Sequence, residues 1–183
     1  MSEELLIRHC APTLAGLKTG NLFTAAVESE DALRKSACRL NASFRSKGLQ
    51  VVPLRYRNGR ALVYVYRPKK LAKDLSQQAA AEILIAGGYR PQCPGSCIAC
   101  LRRKLQESED FPHEVGLFLG YPPEDVSGFI YNKAENCKCV GCWKVYGDAA
   151  AAQKTFAKYK KCTAVYSAQY AQGKSMERLI VAV

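Results

Sequence analysis

The sequence predicts an α+β fold: one compact domain over residues 1–183, with several helices packing a small, mostly antiparallel sheet around a central hairpin at about residues 49–67. Three observations carry this expectation. The segment LQVVPLRYRNGRALVYVYR joins two β-rich runs through Asn58-Gly59, a dipeptide suited to a two-residue type I′ turn, so the one clear strand pair is antiparallel. Apolar residues recur at three- and four-residue steps on both sides of it, as in helices that bury one face. Helices and strands therefore interleave, but the antiparallel pair favours α+β over a doubly wound parallel sheet. The chain has 183 residues, 48% of them hydrophobic and 23% charged, which suffices for a core without disulfide staples.

Taken in order, the chain opens with a short helix-compatible segment that Pro12 should break, and turn signals at Gly16 and Thr19-Gly20 lead into a first strand over residues 22–27. Leu33, Ala37, Leu40 and Phe44 then keep helical spacing, with Gly48 where a C-terminal glycine belongs. In the hairpin, the two-residue turn sets Arg57 opposite Arg60, Arg55 opposite Leu62 and Val51 opposite Tyr66. On the other face, Tyr56, Leu54 and Val52 oppose Ala61, Val63 and Val65 and form the core side. The first face, with Arg55, Arg57, Arg60, Tyr64 and Tyr66, reads as solvated or as a binding surface. Pro68 starts a second long helix whose stripe is Leu71, Leu75, Ala79 and Ile83, ended by Gly87-Gly88. Residues 89–100 read as a loop and the basic LRRKLQESED after them as a helix. Pro112 and Pro122-Pro123 read as first-turn prolines of short helices, with Glu114 and Glu124-Asp125 where negative charge suits a helix start. Residues 140–146 read as a strand. Asp148 caps a last long helix with the stripe Phe156, Tyr159, Val165 and Tyr166, Gly173 ends it, and the apolar tail SMERLIVAV should dock on the body.

Lysine and arginine number 27 against 16 acidic residues, a formal net charge of +11 that favours an anionic partner: a small anionic ligand, nucleic acid or an acidic protein. No apolar run approaches the roughly 20 residues of a membrane span, and the acidic MSEELLIRHC has no signal-peptide core, so the expectation is a cytoplasmic protein with no membrane partner. In that reducing setting nine cysteines point to metal ligation or thiol chemistry rather than to a disulfide framework.

Four strings, HCAPTLAGLKTGNLF, FPHEVGLFLGYPPEDVSGFI, CKCVGCWKVYGD and FAKYKKCTAVY, occur in an order that resembles a bacterial family of unknown function, domain of unknown function family 3793, found mostly in anaerobes. The resemblance covers nearly the whole chain. It implies no activity, substrate, cofactor or catalytic residue, and the Cys93, Cys97 and Cys100 run stands outside its motifs.

The residues themselves offer four constellations. Cys97 with Cys100 and Cys139 with Cys142 form two C-x2-C pairs, whose four thiolates would suit tetrahedral zinc or an iron-sulfur cluster. Against this, the spacer is long, and a strand through Cys139 and Cys142 would point them to opposite faces unless the backbone turns at Gly141. Cys93, Cys97 and Cys100 also share the C-x3-C-x2-C spacing of radical enzymes that use S-adenosylmethionine. However, Ala99 stands where those have an aromatic residue, and the chain is too short for their barrel.

The only two histidines, His9 beside Cys10 and His113 beside Glu114, would supply acid-base or nucleophilic chemistry if folding joined them; otherwise they cap and pack. Thr13, Lys18 and Asn21, among Gly16 and Gly20, and Tyr121 further on, are the candidate ligand contacts, the first three forming an anion-binding turn or a plain one. The arginine and tyrosine face of the hairpin would grip a nucleic-acid backbone if it is exposed. The resulting reading is a metal- or anionic-ligand-binding protein with an enzymatic role in view. The alternatives are a basic interaction module for nucleic acid or an acidic redox partner, and a small enzyme using His113 and Glu114 as acid-base groups.

Overall fold

In the computed structural model, which describes residues 2–108 and 110–182, Asn58 and Gly59 take φ angles of 50° and 72° and close the type I′ turn that this dipeptide predicts. The turn joins β2 (Gln50–Arg57) to β3 (Arg60–Tyr66), and β1 (Gly20–Ala26) pairs on the other edge of β3, giving an antiparallel sheet of order β1-β3-β2. The fold is α+β, as expected. The predicted register holds from Arg57 opposite Arg60 to Arg55 opposite Leu62, then shifts by one at a bulge between Pro53 and Arg55. A proline has no N–H for the ladder, and a bulge beside it absorbs the extra residue. Val51 therefore pairs with Val65 instead of Tyr66 and turns into the core, where it is 1% exposed. Of the face read as solvated or as a binding surface, Arg57 and Arg60 beside the turn are exposed, whereas Tyr64 and Tyr66 are 0% and 6% exposed and stack at 4.7 Å.

The described elements group into two compact units, one holding the residues up to Lys69 and from Lys161 on, the other Lys70–Lys160. In the first, α1 (Glu3–Leu14) and α2 (Glu30–Phe44) lie on the sheet. Ser2 and Ser29 cap these helices by accepting from Leu5 and Ala32 N–H. Pro12 does not break α1 but sits inside its last turn. There it forfeits a single helical bond, while its carbonyl accepts from Leu17 and Lys18 N–H at 2.8 and 3.1 Å. After α2, a 3₁₀ turn (Arg45–Lys47) ends at Gly48 with φ 72°. Phe23, Leu33, Phe44, Val51, Val63 and Val65 anchor the core of this unit.

The tail docks in the same unit as α9 (Met176–Leu179), through Met176, Leu179 and Ile180. Arg67 holds it in place. This side chain is 1% exposed, and its guanidinium donates to the carbonyls of Thr13 (2.7 Å), Leu14 (2.7 Å), Val181 (2.8 Å) and Lys47 (3.2 Å). One rigid donor fork thus ties the ends of α1, the 3₁₀ turn and the tail together.

The single long helix expected from Pro68 is two helices, α3 (Pro68–Leu75) and α4 (Gln78–Ala86), which from Lys70 on belong to the second unit. Ser76 bonds back to the Lys73 carbonyl at 2.8 Å and Gln77 is extended, so the buried stripe steps from Leu71 and Leu75 to Ala80 and Leu84. Residues expected as loop enter α5 (Pro94–Glu107), because Pro94 occupies a first-turn position where its missing N–H costs nothing. Next come α6 (Val115–Phe118) and α7 (Pro123–Tyr131), then the hairpin of β4 (Cys139–Val140) and β5 (Lys144–Val145) in place of one strand. Helix α8 (Ala149–Ala171) follows, its residues from Lys161 on counted with the first unit, and is capped as expected by Asp148, which accepts from Ala151 N–H at 3.0 Å. Val165 lies off its inner stripe, 43% exposed. Gly173, with φ 88°, stands beyond its end. Among the described residues no helix is long and apolar enough to cross a membrane.

Candidate functional site

The residues between Phe111 and Tyr146 build one cavity within the second unit. Gly120 takes φ 75°, which reverses the chain after α6, and Pro122 and Pro123 then start α7. The hairpin β4-β5 returns with Val140 opposite Lys144 and turns through Gly141, whose N–H donates to the Trp143 carbonyl at 3.0 Å. Asp125, 3% exposed in the first turn of α7, clasps that hairpin. One carboxylate oxygen accepts the Trp143 indole N–H at 2.6 Å and the other accepts the backbone N–H groups of Tyr146 and Gly147, each at 2.7 Å. Gly128 admits the hairpin to the helix, since a Cβ there would lie 2.5 Å from the Tyr146 side chain.

The space is about 460 Å³ and open on one side, and its walls are chiefly apolar: Phe111, Tyr121, Val126, Phe129, Val140 and Trp143. Tyr121 stacks on Trp143 at 4.7 Å, and Phe156 meets the same indole edge-on at 4.6 Å. The Tyr121 hydroxyl donates to the Cys142 carbonyl at 3.1 Å, and burial pushes its pKa up to about 12, so it stays neutral. Three polar side chains reach the space: Asp125, already engaged three times, His113 and Lys144. His113 stands edge-on to Phe129 at 5.1 Å. The Lys144 ammonium donates to the Ala134 carbonyl at 2.7 Å, which leaves two of its three donors for other acceptors.

His113 lines the cavity, whereas Glu114 is not among its walls. Glu114 accepts from the Lys104 ammonium on α5 at 2.6 Å, with 12% of its side chain exposed. Burial alone would raise its pKa, but the hydrogen bonds and charge of Lys104 outweigh it and hold the carboxyl below its ordinary value. Close by, burial and then the Glu114 charge push the Tyr89 phenol far up.

The histidines fall in different units, each with an aromatic partner in its own. His9 stacks on Phe23 at 5.6 Å, and partial burial, then Arg8, lower its pKa. Cys10 is 0% exposed, and burial raises its pKa despite nearby Lys18, so the thiol keeps its proton and packs. Thr13 and Asn21 satisfy each other, Oγ1 donating to Oδ1 at 2.7 Å. The turn at Gly16 presents no open row of donors: Gly16, Leu17 and Lys18 N–H groups go to the carbonyls of Thr13, Pro12 and Pro12. Lys18 itself is 6% exposed.

Cys97 and Cys100 lie one turn apart on α5, Cys97 buried and donating to the Arg90 carbonyl at 3.1 Å. Cys139 belongs to β4, and Cys142 to the turn after it. Among the described residues, no three histidine, cysteine, aspartate or glutamate side chains gather where one metal ion would sit.

The sequence reading missed Asp125, Phe129 and Lys144. The only local signal was aromatic density between Phe111 and Trp143; Asp125 read as a helix-start charge, because its hairpin partners lie about 20 residues away. No curated protein and no solved structure matches this chain. A family model matches residues 6–180, and the chain belongs to that family, described as protein of unknown function DUF3793.

Proposed function

We propose that this protein binds a small ligand with a flat apolar body and one anionic group in the cavity between α6, α7 and the β4-β5 hairpin. The cavity itself carries the reading: about 460 Å³ lies within the range of small-molecule sites, and aromatic walls with few polar groups are what such sites have. Tyr121, Phe129 and Trp143 would receive the apolar body, while the spare donors of Lys144, with His113, would receive the anion. We read the role as binding, because Glu114 faces Lys104 and leaves His113 without that carboxylate. A zinc or iron-sulfur role has less support, since the four cysteines proposed for it do not form a ligand cluster.

Trp143 is the one tryptophan in the chain, so its emission reports on the site. Titration with 2-naphthoate should give a saturable one-site change, weakened about tenfold by Lys144→Met, the scale of one charge-assisted hydrogen bond. Absence of a saturable change overturns the reading, and equal affinity for neutral 2-naphthalenemethanol overturns its anionic half.

A second reading concerns a large anionic partner, nucleic acid or an acidic protein. Helix α8 has Lys154, Lys158, Lys160 and Lys161 and no acidic residue, and Lys154, Lys158 and Lys161 share an exposed face at helical spacing. Binding to single-stranded oligonucleotide that falls steeply with salt supports this reading, and salt-independent or absent binding removes it.

A further inference from the structure

A second cavity, of about 370 Å³, lies where the loop after α4 meets the outer side of α5, and its walls include Arg90, Ser96, Cys100 and Arg103. Cys100 is partly exposed, whereas its neighbour Cys97 is fully buried. The Arg103 guanidinium donates to the Cys100 sulfur at 3.9 Å, and the Cys100 thiol donates to the Gly88 carbonyl at the same distance. Arg90 and Arg103 thus share with the partly exposed Cys100 the walls of a pocket large enough for a small peptide-like molecule, Arg103 directly beside the sulfur. Cys97 does not share that role: burial raises its pKa, and its sulfur is already bonded to the Arg90 carbonyl. Nothing in the naphthoate-type site described above uses these residues.

We propose that Cys100 is a thiol-exchange site for small disulfides that carry carboxylates, which Arg90 and Arg103 hold in the cavity. In the exchange, the Cys100 thiolate attacks one sulfur of the bound disulfide and a new S–S bond forms to Cys100. The original S–S bond breaks, and the departing thiolate takes up a proton equivalent to the one Cys100 gave up. The disulfide is the oxidant, reduced to one free thiol and one mixed disulfide, so no further redox partner is needed. The arginines favour the reaction by concentrating the anionic disulfide beside Cys100.

Incubating the reduced full-length protein with glutathione disulfide and mapping the modified peptides over time tests this within one molecule, because exposed Cys38 and Cys142 serve as internal references. Cys100 should form its mixed disulfide about tenfold faster than either reference, consistent with steering by two positive charges. The advantage should shrink in high salt, in the Arg90→Gln/Arg103→Gln variant and with neutral 2-hydroxyethyl disulfide. A Cys100 rate no greater than that of Cys38 overturns the proposal. So does an advantage that persists unchanged in the arginine variant or with the neutral disulfide.

Discussion

Replacing Asp125 by alanine removes the acceptor that joins α7 to the cavity-forming hairpin. Three donors lose their partner at once: the Trp143 indole N–H at 2.6 Å and the Tyr146 and Gly147 N–H groups at 2.7 Å. Bonds to a charged acceptor contribute roughly 1.5 to 3 kcal/mol each, so their sum sets an upper bound of about 5 to 9 kcal/mol. The hairpin is short and partly exposed, and water reaching the freed donors should cut the measured loss to about 3 kcal/mol. Asp125→Asn separates the contributions. Its amide oxygen can still accept from the two backbone N–H groups, but its NH2 then faces the indole N–H, so about a third to a half of the loss should appear. Urea unfolding followed by circular dichroism gives the stability change, and Trp143 emission gives the local one. Combined with Trp143→Phe, which deletes the indole donor, Asp125→Asn should cost less than the two single losses added together. A loss below about 1 kcal/mol for Asp125→Ala, with unchanged Trp143 emission, would refute the clasp.

Arg67→Met should cost about 3 to 5 kcal/mol, because it leaves four backbone carbonyls without the buried guanidinium they share; Arg67→Lys should recover only part, and denaturant titration with proteolysis of the tail would show both. The Glu114 carboxyl lies below its ordinary value in the folded state, so the Lys104 pair stabilises above the ordinary glutamate range and is lost as pH falls through the lowered value. Lys104→Met should therefore destabilise by about 1 to 2 kcal/mol at neutral pH, and the gap to wild type should close in acid as Glu114 protonates, read from thermal melts across pH.

Local backbone chemistry was the part of this fold written most plainly in the sequence. Asn58-Gly59 dictates its turn by itself, and Asp148 and Gly48 each mark a helix end through a bond or a φ angle that needs no distant partner. The register was legible only as far as Pro53 allowed, since alternation continues on paper through a bulge that the ladder cannot cross unshifted. The break at Ser76 and Gln77 was hidden because a stripe of Leu71, Leu75, Ala79 and Ile83 is as regular on paper as the true one of Leu71, Leu75, Ala80 and Leu84. Site residues were harder still. Adjacent residues point in different directions, so His113 reaches the cavity while Glu114 turns to Lys104, and pairing by sequence adjacency cannot anticipate that.

The crowding of glycines and prolines between Phe111 and Gly147 has a physical cause in the cavity. A Cβ at Gly116 would come within 2.7 Å of Val126, at Gly128 within 2.5 Å of Tyr146 and at Gly147 within 2.7 Å of Glu124. Each contact lies where α6, α7 or the hairpin presses on its neighbour, so a side chain at any of these positions would push one wall outward. The aromatic rings can line a single space only because the backbones behind them lie this close. The same stretch is thus both scaffold and site: its glycines fix where the walls stand, and His113 and Lys144, the polar side chains left with capacity, fix what the space can recognise. A ligand selected by such walls must be flat enough to lie against Trp143 and Tyr121 and must direct its charge toward Lys144, which is why the naphthoate pair, alike in shape and different in charge, is the discriminating probe.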